Sequence, residues 1–224
     1  MRILYHHPFI PACRTVRLAL RERPLEFTLT LEKFWEEREA FAQISPTFAV
    51  PALVDEDQTT LSDVRVICEY LEDRYPQENF THLGHTPLER AETRRLMAWF
   101  EGQFNNDVTQ NLVFEKGLKQ YFGAGGPTPS LIRLGSANLA HHMAYMEWLL
   151  EERKWLSGDT ISFADFSAAS HLSCIDYFGS VPWGKFPATK EWYARIKSRP
   201  SFRPLLADRH PGIPAQPQYT NLDF

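Results

Sequence analysis

The spacing of apolar positions switches repeatedly in the first part of the chain and then settles to one period. Arg2 to His6 reads as a short strand, broken by Pro8 and Pro11. From Cys13 the pattern turns helical: Val16, Leu18, Ala19 and Leu20 are apolar, whereas Arg14, Arg17, Arg21 and Glu22 are not. Pro24 ends that helix. Phe27 to Leu31 alternates as a half-buried strand does. Phe34 to Phe41 is charged, with Phe34 and Trp35 embedded in it, and a weakly specified helix is placed between Trp35 and Ile44. Val50 to Asp55 reads as a buried strand entered through Pro51, with Thr59 to Leu61 as its hairpin partner. Ser62 or Asp63 caps the next helix, whose apolar face is Val66, Ile67, Tyr70 and Leu71. A short crossover helix between two strands implies a parallel pair with a right-handed connection, and the hairpin adds antiparallel strands. The expected sheet is mixed.

After a polar stretch only helical periods remain. Leu96, Phe100, Phe104, Val108 and Leu112 recur at four-residue steps within one long pattern from Glu89 to Phe122. Ser130 to Glu152, Ser162 to Phe178 and Thr189 to Ser198 follow as helices. Ser162 stands three residues before Asp165, the spacing of a capping box, and the helix after it is apolar on nearly all sides. It should be the buried centre of its domain. The organisation expected is an α/β domain over 1–77, a linker over 78–88, an all-α domain over 89–208 and a Pro-rich tail over 209–224. The tail, with Pro211, Pro214 and Pro217, is expected to run extended over the surface.

Composition narrows the function classes. Among 224 residues, 43% are hydrophobic and 13% aromatic, which excludes a globally disordered chain. A formal net charge of -4 lacks the footprint of a general nucleic-acid binder. No apolar run reaches the ~20 residues that span a bilayer, so no membrane insertion is expected, and the N-terminal apolar run is too short for a signal peptide. The three cysteines, Cys13, Cys68 and Cys174, form no C-x-x-C pair, which fits a reducing, cytoplasmic compartment. The adjacent pairs His6 and His7, and His141 and His142, have no zinc spacing, so no metal site is expected.

Strand, proline and helix, then Val50-Pro51, then Leu61-Ser62-Asp63 with Ile67, Tyr70 and Leu71, then Ser162 and Asp165, together resemble the glutathione transferases over almost the whole length. The resemblance implies a thioredoxin-like α/β N-terminal domain followed by an all-α C-terminal domain. It implies that Val50-Pro51 is a cis-proline turn whose backbone pairs with the cysteinyl part of glutathione. Asp63 takes the acidic place of the family's Glu-Ser pair, at a helix N-terminus that favours an anion. Two positions depart from the pattern. Ile10 stands where many bacterial members carry the Ser or Cys that polarises the glutathione sulfur, and Val64 stands where a Ser binds the γ-glutamyl carboxylate. Losing a hydroxyl partner of a charged group costs about 1.5–3 kcal/mol. The glutathione site formed by Val50, Pro51, Asp63 and Val64 therefore reads as vestigial. Tyr5 and Cys13 remain as substitutes, the latter at a helix start whose dipole could lower a thiol pKa.

Longer stretches are similar to an alphaproteobacterial subgroup of transferase-like cell-division proteins that bind the tubulin-like GTPase FtsZ. These are Trp35 to Arg38, Leu172 to Tyr177, Val181 to Trp183, Lys197 to Arg209 and Tyr219 to Phe224. That resemblance implies a cytoplasmic, homodimeric adaptor at the division site, without cofactor, that bundles or curves FtsZ filaments and promotes septal constriction. An exposed Trp35 among charges would anchor the partner, together with Tyr219, Leu222, Asp223 and Phe224 of the tail. The competing expectation is a glutathione-dependent transferase or peroxidase with an atypical thiol-activating residue.

Overall fold

Arg2–His6 forms strand β1, and the chain then turns through Pro8 into helix α1, Pro11–Glu22. The computed structural model describes residues 1–222. Pro11 sits in the first turn of α1, where its missing N–H costs no helical bond. β2, Phe27–Leu31, returns parallel to β1, in register from Arg2↔Phe27 to His6↔Leu31. Between β2 and β3 lie a tight turn at Phe34–Glu36 and the one-turn helix α2, Glu39–Ala42. β3, Ala52–Val54, lies antiparallel on the other side of β1, and β4, Thr60–Ser62, pairs antiparallel with β3. The order β2-β1-β3-β4 is the mixed sheet that the alternation implied.

Helix α3, Val64–Arg74, starts where the Asp63 carboxylate accepts a hydrogen bond from the Arg65 amide. Its far end is tied to the sheet by buried Asp55, which accepts from the Tyr70 and Tyr75 hydroxyls at 2.7 and 2.6 Å and pairs with Arg2 at 2.8 Å. Helix α4 then begins with a reciprocal capping box between Thr86 and Glu89. It runs over Pro87–Ala98, continues as wider π-type turns over Trp99–Leu118 and closes with Lys119–Tyr121. A four-residue step drifts about 40° around an ordinary helix of 3.6 residues per turn, and wider turns reduce that drift. Leu96, Phe100, Phe104, Val108 and Leu112 consequently all stay buried.

Helices α5, Pro129–Glu152, α6, Phe163–Tyr177, and α7, Pro187–Lys197, complete the second domain. Every residue of α6 is buried. Its capping residue Asp165 accepts from the Leu156 and Ser162 amides, the Ser162 hydroxyl and the Trp192 indole, each at 2.8 or 2.9 Å. One carboxylate thus fixes the start of α6, the segment before it and α7.

α1 packs on α6, which joins the two domains. Arg14 is fully buried there, donating to the Pro8 carbonyl at 2.7 Å and to Ser173 Oγ at 2.8 Å. Arg17 holds Asp208 through two hydrogen bonds, at 2.8 and 3.1 Å. Arg199 holds Glu22 in the same two-pronged way, at 2.7 and 2.6 Å.

The tail departs from the extended path expected of it. Pro217–Thr220 is a short helix, α8, with Pro217 at a first-turn position that tolerates proline. Tyr219 is fully buried and donates to the Leu205 carbonyl at 2.7 Å. Lys197 Nζ donates to the carbonyls of Gln218 and Asn221, both at 2.6 Å. Leu222 is half-buried against the core. Asp223 and Phe224 lie outside the described residues.

Candidate functional site

The start of α1, the turn into β3, the β4–α3 junction and the inner face of α4 enclose a cleft of about 680 Å³ between the domains. Each of these elements has a local reason to be there. The Val50–Pro51 peptide is cis and delivers the chain into β3. Asp63 carries a left-handed φ of 72°, which turns the chain sharply from β4 into α3. Pro11 starts α1 directly at the cleft wall.

Of the site residues expected from the sequence, the cleft brings together Val50, Pro51, Asp63 and Val64, and it adds Ile10 between them. Ile10 presents a hydrocarbon where thiol activation needs a donor, and Val64 is buried to 4% exposure. Asp63 is ionised and held below the usual carboxylate range: burial opposes this, and the Arg65 side chain and amide overcome it. Arg65 contacts both Asp63 oxygens, at 3.3 and 3.4 Å.

Tyr5 lies elsewhere. It sits in the sheet against Phe41, with ring centroids 5.5 Å apart, and does not line the cleft. Cys13 corrects the expectation of a lowered thiol pKa. Its side chain is fully buried, and burial pushes the thiol up to about 12, outweighing the His7 amide that donates to it. A thiol so enclosed is a packing group, not a nucleophile.

Trp35 corrects the expectation of an exposed anchor. It is half-buried and stacks on Phe122 of the second domain. Phe34 packs edge-on to the same ring at 5.4 Å. Tyr121 meets Trp35 at 5.5 Å on one side and His210, at the start of the tail, at 5.7 Å on the other. A chain of rings therefore runs from Trp35 through Tyr121 to His210, at the start of the tail. Tyr219, buried to the hydroxyl, anchors the tail from beneath and offers no surface to a partner.

The sequence reading missed Glu101, Thr109 and Phe122, all of which line the cleft. Glu101 stands one position off the apolar stripe of α4, at four-residue steps from Asn105 and Thr109, and that flanking polar row was the available signal. Among the described residues no group of three or more His, Cys, Asp or Glu converges as metal ligands do, and no helix is long and apolar enough to cross a membrane.

Two family models match the chain: the glutathione S-transferase N-terminal domain over residues 4–79 and the C-terminal domain over residues 137–200. FtsZ-localized protein A of Caulobacter vibrioides is 43% identical over 226 residues, spanning 100% of this chain and 98% of that relative. A crystal structure described as a glutathione S-transferase from Rhodospirillum rubrum superposes with a TM-score of 0.96 at 48% identity, covering 100% of both chains. The structure of FzlA from C. crescentus superposes with a TM-score of 0.94 at 44% identity, covering 100% of this chain and 99% of that one. With its mixed thioredoxin-like sheet domain and all-helical second domain, the chain belongs to the glutathione transferase family.

Proposed function

We propose that the chain is a non-catalytic adaptor that binds FtsZ filaments, bundling or curving them and promoting septal constriction. The observation that carries this is the end-to-end likeness to a protein named for its localisation to FtsZ. The cleft supports it: with Ile10 and Val64 in place, and Cys13 buried, no side chain among the described residues at the start of α1 is placed to activate a thiol. The binding face combines Trp35 with the tail, including Leu222, Asp223 and Phe224. A homodimer would present two such faces and bridge filaments, since linking two sites raises their effective concentration. Val66 on α3, and Leu131, Leu134 and Trp148 on α5, are large apolar side chains left 36% to 58% exposed and suit burial against a second copy. In the cell the adaptor would work in the cytoplasm at the division site. Electron microscopy of GTP-polymerised FtsZ with and without the purified chain tests this. Bundles or arcs are expected, and unaltered single filaments would contradict it.

A second reading, a glutathione-dependent transferase or peroxidase, is favoured by the retained cleft with its cis Val50–Pro51 turn and Asp63. Heat release on titrating millimolar glutathione would support it. Its absence would remove it.

A further inference from the structure

The floor of the cleft carries a polar network that neither filament binding nor thiol chemistry uses. Glu101 and Thr109 line the cavity from α4, and both turn toward His171 on α6. Thr109 Oγ1 lies 2.7 Å from His171 Nδ1. His171 Nε2 lies 3.7 Å from Glu101 Oε2, beyond hydrogen-bond reach, and the Ser167 hydroxyl donates to Glu101 Oε1. His171 is 1% exposed, and its Nε2 has no hydrogen-bond partner among the described residues. Of this network only Glu101 and Thr109 reach the cavity, and His171 and Ser167 back them from α6.

Charge sharpens the picture. Among the described residues, three charged side chains face the cavity: Asp63, Arg65 and Glu101. Asp63 and Arg65 satisfy each other. Glu101 acts on Arg65 only at longer range, and among the described residues no lysine or arginine lies within ion-pair distance of its carboxylate. Its side chain is 11% exposed. A carboxylate so enclosed favours a cation that also donates hydrogen bonds, because desolvation leaves its remaining lone pairs unmet. Around it the walls are apolar, with Ile10, Val113, Phe114 and Phe122. A cavity of this volume, largely apolar with a few convergent polar groups, has the build of a small-molecule site.

We propose that the interdomain cleft binds an organic ammonium ligand, its cationic head on Glu101 and Thr109 and its apolar body against Val113, Phe114 and Phe122. An anionic head would meet Glu101 with like sign, so the site discriminates by charge as well as shape. The proposal is independent of filament binding and stands or falls separately from it.

Isothermal titration with 4-phenylbutylamine and 4-phenylbutyrate, which share a phenylbutyl frame and differ in head-group charge, tests it. The amine is expected to bind the full chain at least tenfold more tightly than the acid. Glu101→Gln should then weaken the amine at least tenfold while leaving the circular dichroism spectrum unchanged. Equal binding of amine and acid, no binding of the amine, or full retention of amine affinity by Glu101→Gln would each overturn it. Should Glu101→Gln fail to fold, Glu101→Asp, which withdraws the charge by one methylene, must weaken the amine. Unchanged affinity there overturns it equally.

Discussion

The indole of Trp35 lies stacked on the ring of Phe122, with centroids 4.1 Å apart and planes inclined by 26°. The first ring belongs to the turn after β2 and the second follows the end of α4, so the stack ties the β2–β3 connection of one domain to the other domain. His7 reinforces it, packing edge-on to Trp35 at 5.8 Å and to Phe122 at 5.6 Å. Trp35 is therefore a structural clasp as well as the residue proposed to meet filaments.

Replacing Trp35 by Ala should lower stability by about 1–3 kcal/mol, from lost burial plus the aromatic pair. Urea denaturation followed by far-ultraviolet circular dichroism measures it. An unchanged midpoint would mean that the stack contributes nothing in solution.

Buried histidines set an acid limit. His82, 1% exposed between Phe80, Phe163 and Phe166, is pushed down to about 3 by burial first and then by Arg23 and Arg199. Glu72 lies 3.9 Å from its ring but is already paired with Arg23. His6 and His7 are likewise pushed down, to about 4 and about 3, with burial the leading cause. The folded pKa values lie below the unfolded value of about 6.5, so the unfolded chain takes up these protons first. Stability is then full above pH 6.5 and falls as pH drops toward 4, by about 1.4 kcal/mol per pH unit for each imidazole. His82→Phe should remove about 1 kcal/mol per unit from the mean slope between pH 6.5 and 5, measured by denaturation at each pH. An unchanged slope would show that His82 does not stay neutral in the fold.

The tail should loosen when its latch is cut. Lys197→Met removes the donor to the Gln218 and Asn221 carbonyls, and hydrogen bonds of a charged group are worth about 1.5–3 kcal/mol. Chymotrypsin cleavage after Tyr219, followed by mass spectrometry, should quicken by roughly tenfold or more, because local opening exposes that bond. Cleavage at the wild-type rate would mean that Tyr219 holds the tail without the lysine.

Much of the fold was legible because its signals are local. The alternation of Phe27 to Leu31 and the cap at Asp63 involve neighbours in sequence, and Ser162 with Asp165 announced the buried start of α6. What was not legible depends on partners far along the chain. Trp35 meets Phe122, Glu101 meets Ser167 and Tyr219 meets Leu205, and no spacing rule links such pairs. Cys13 was misread because a helix start lowers a thiol pKa only when solvent or a cation can reach it, and here burial dominates. The tail was misread because its prolines, taken together, looked incompatible with helix, whereas Pro217 occupies the turn that tolerates one.

Co-sedimentation with GTP-polymerised FtsZ tests the central claim most directly. The full chain should pellet with filaments and stay in the supernatant when GTP is omitted. A full chain that remains in the supernatant with filaments present would contradict the adaptor reading.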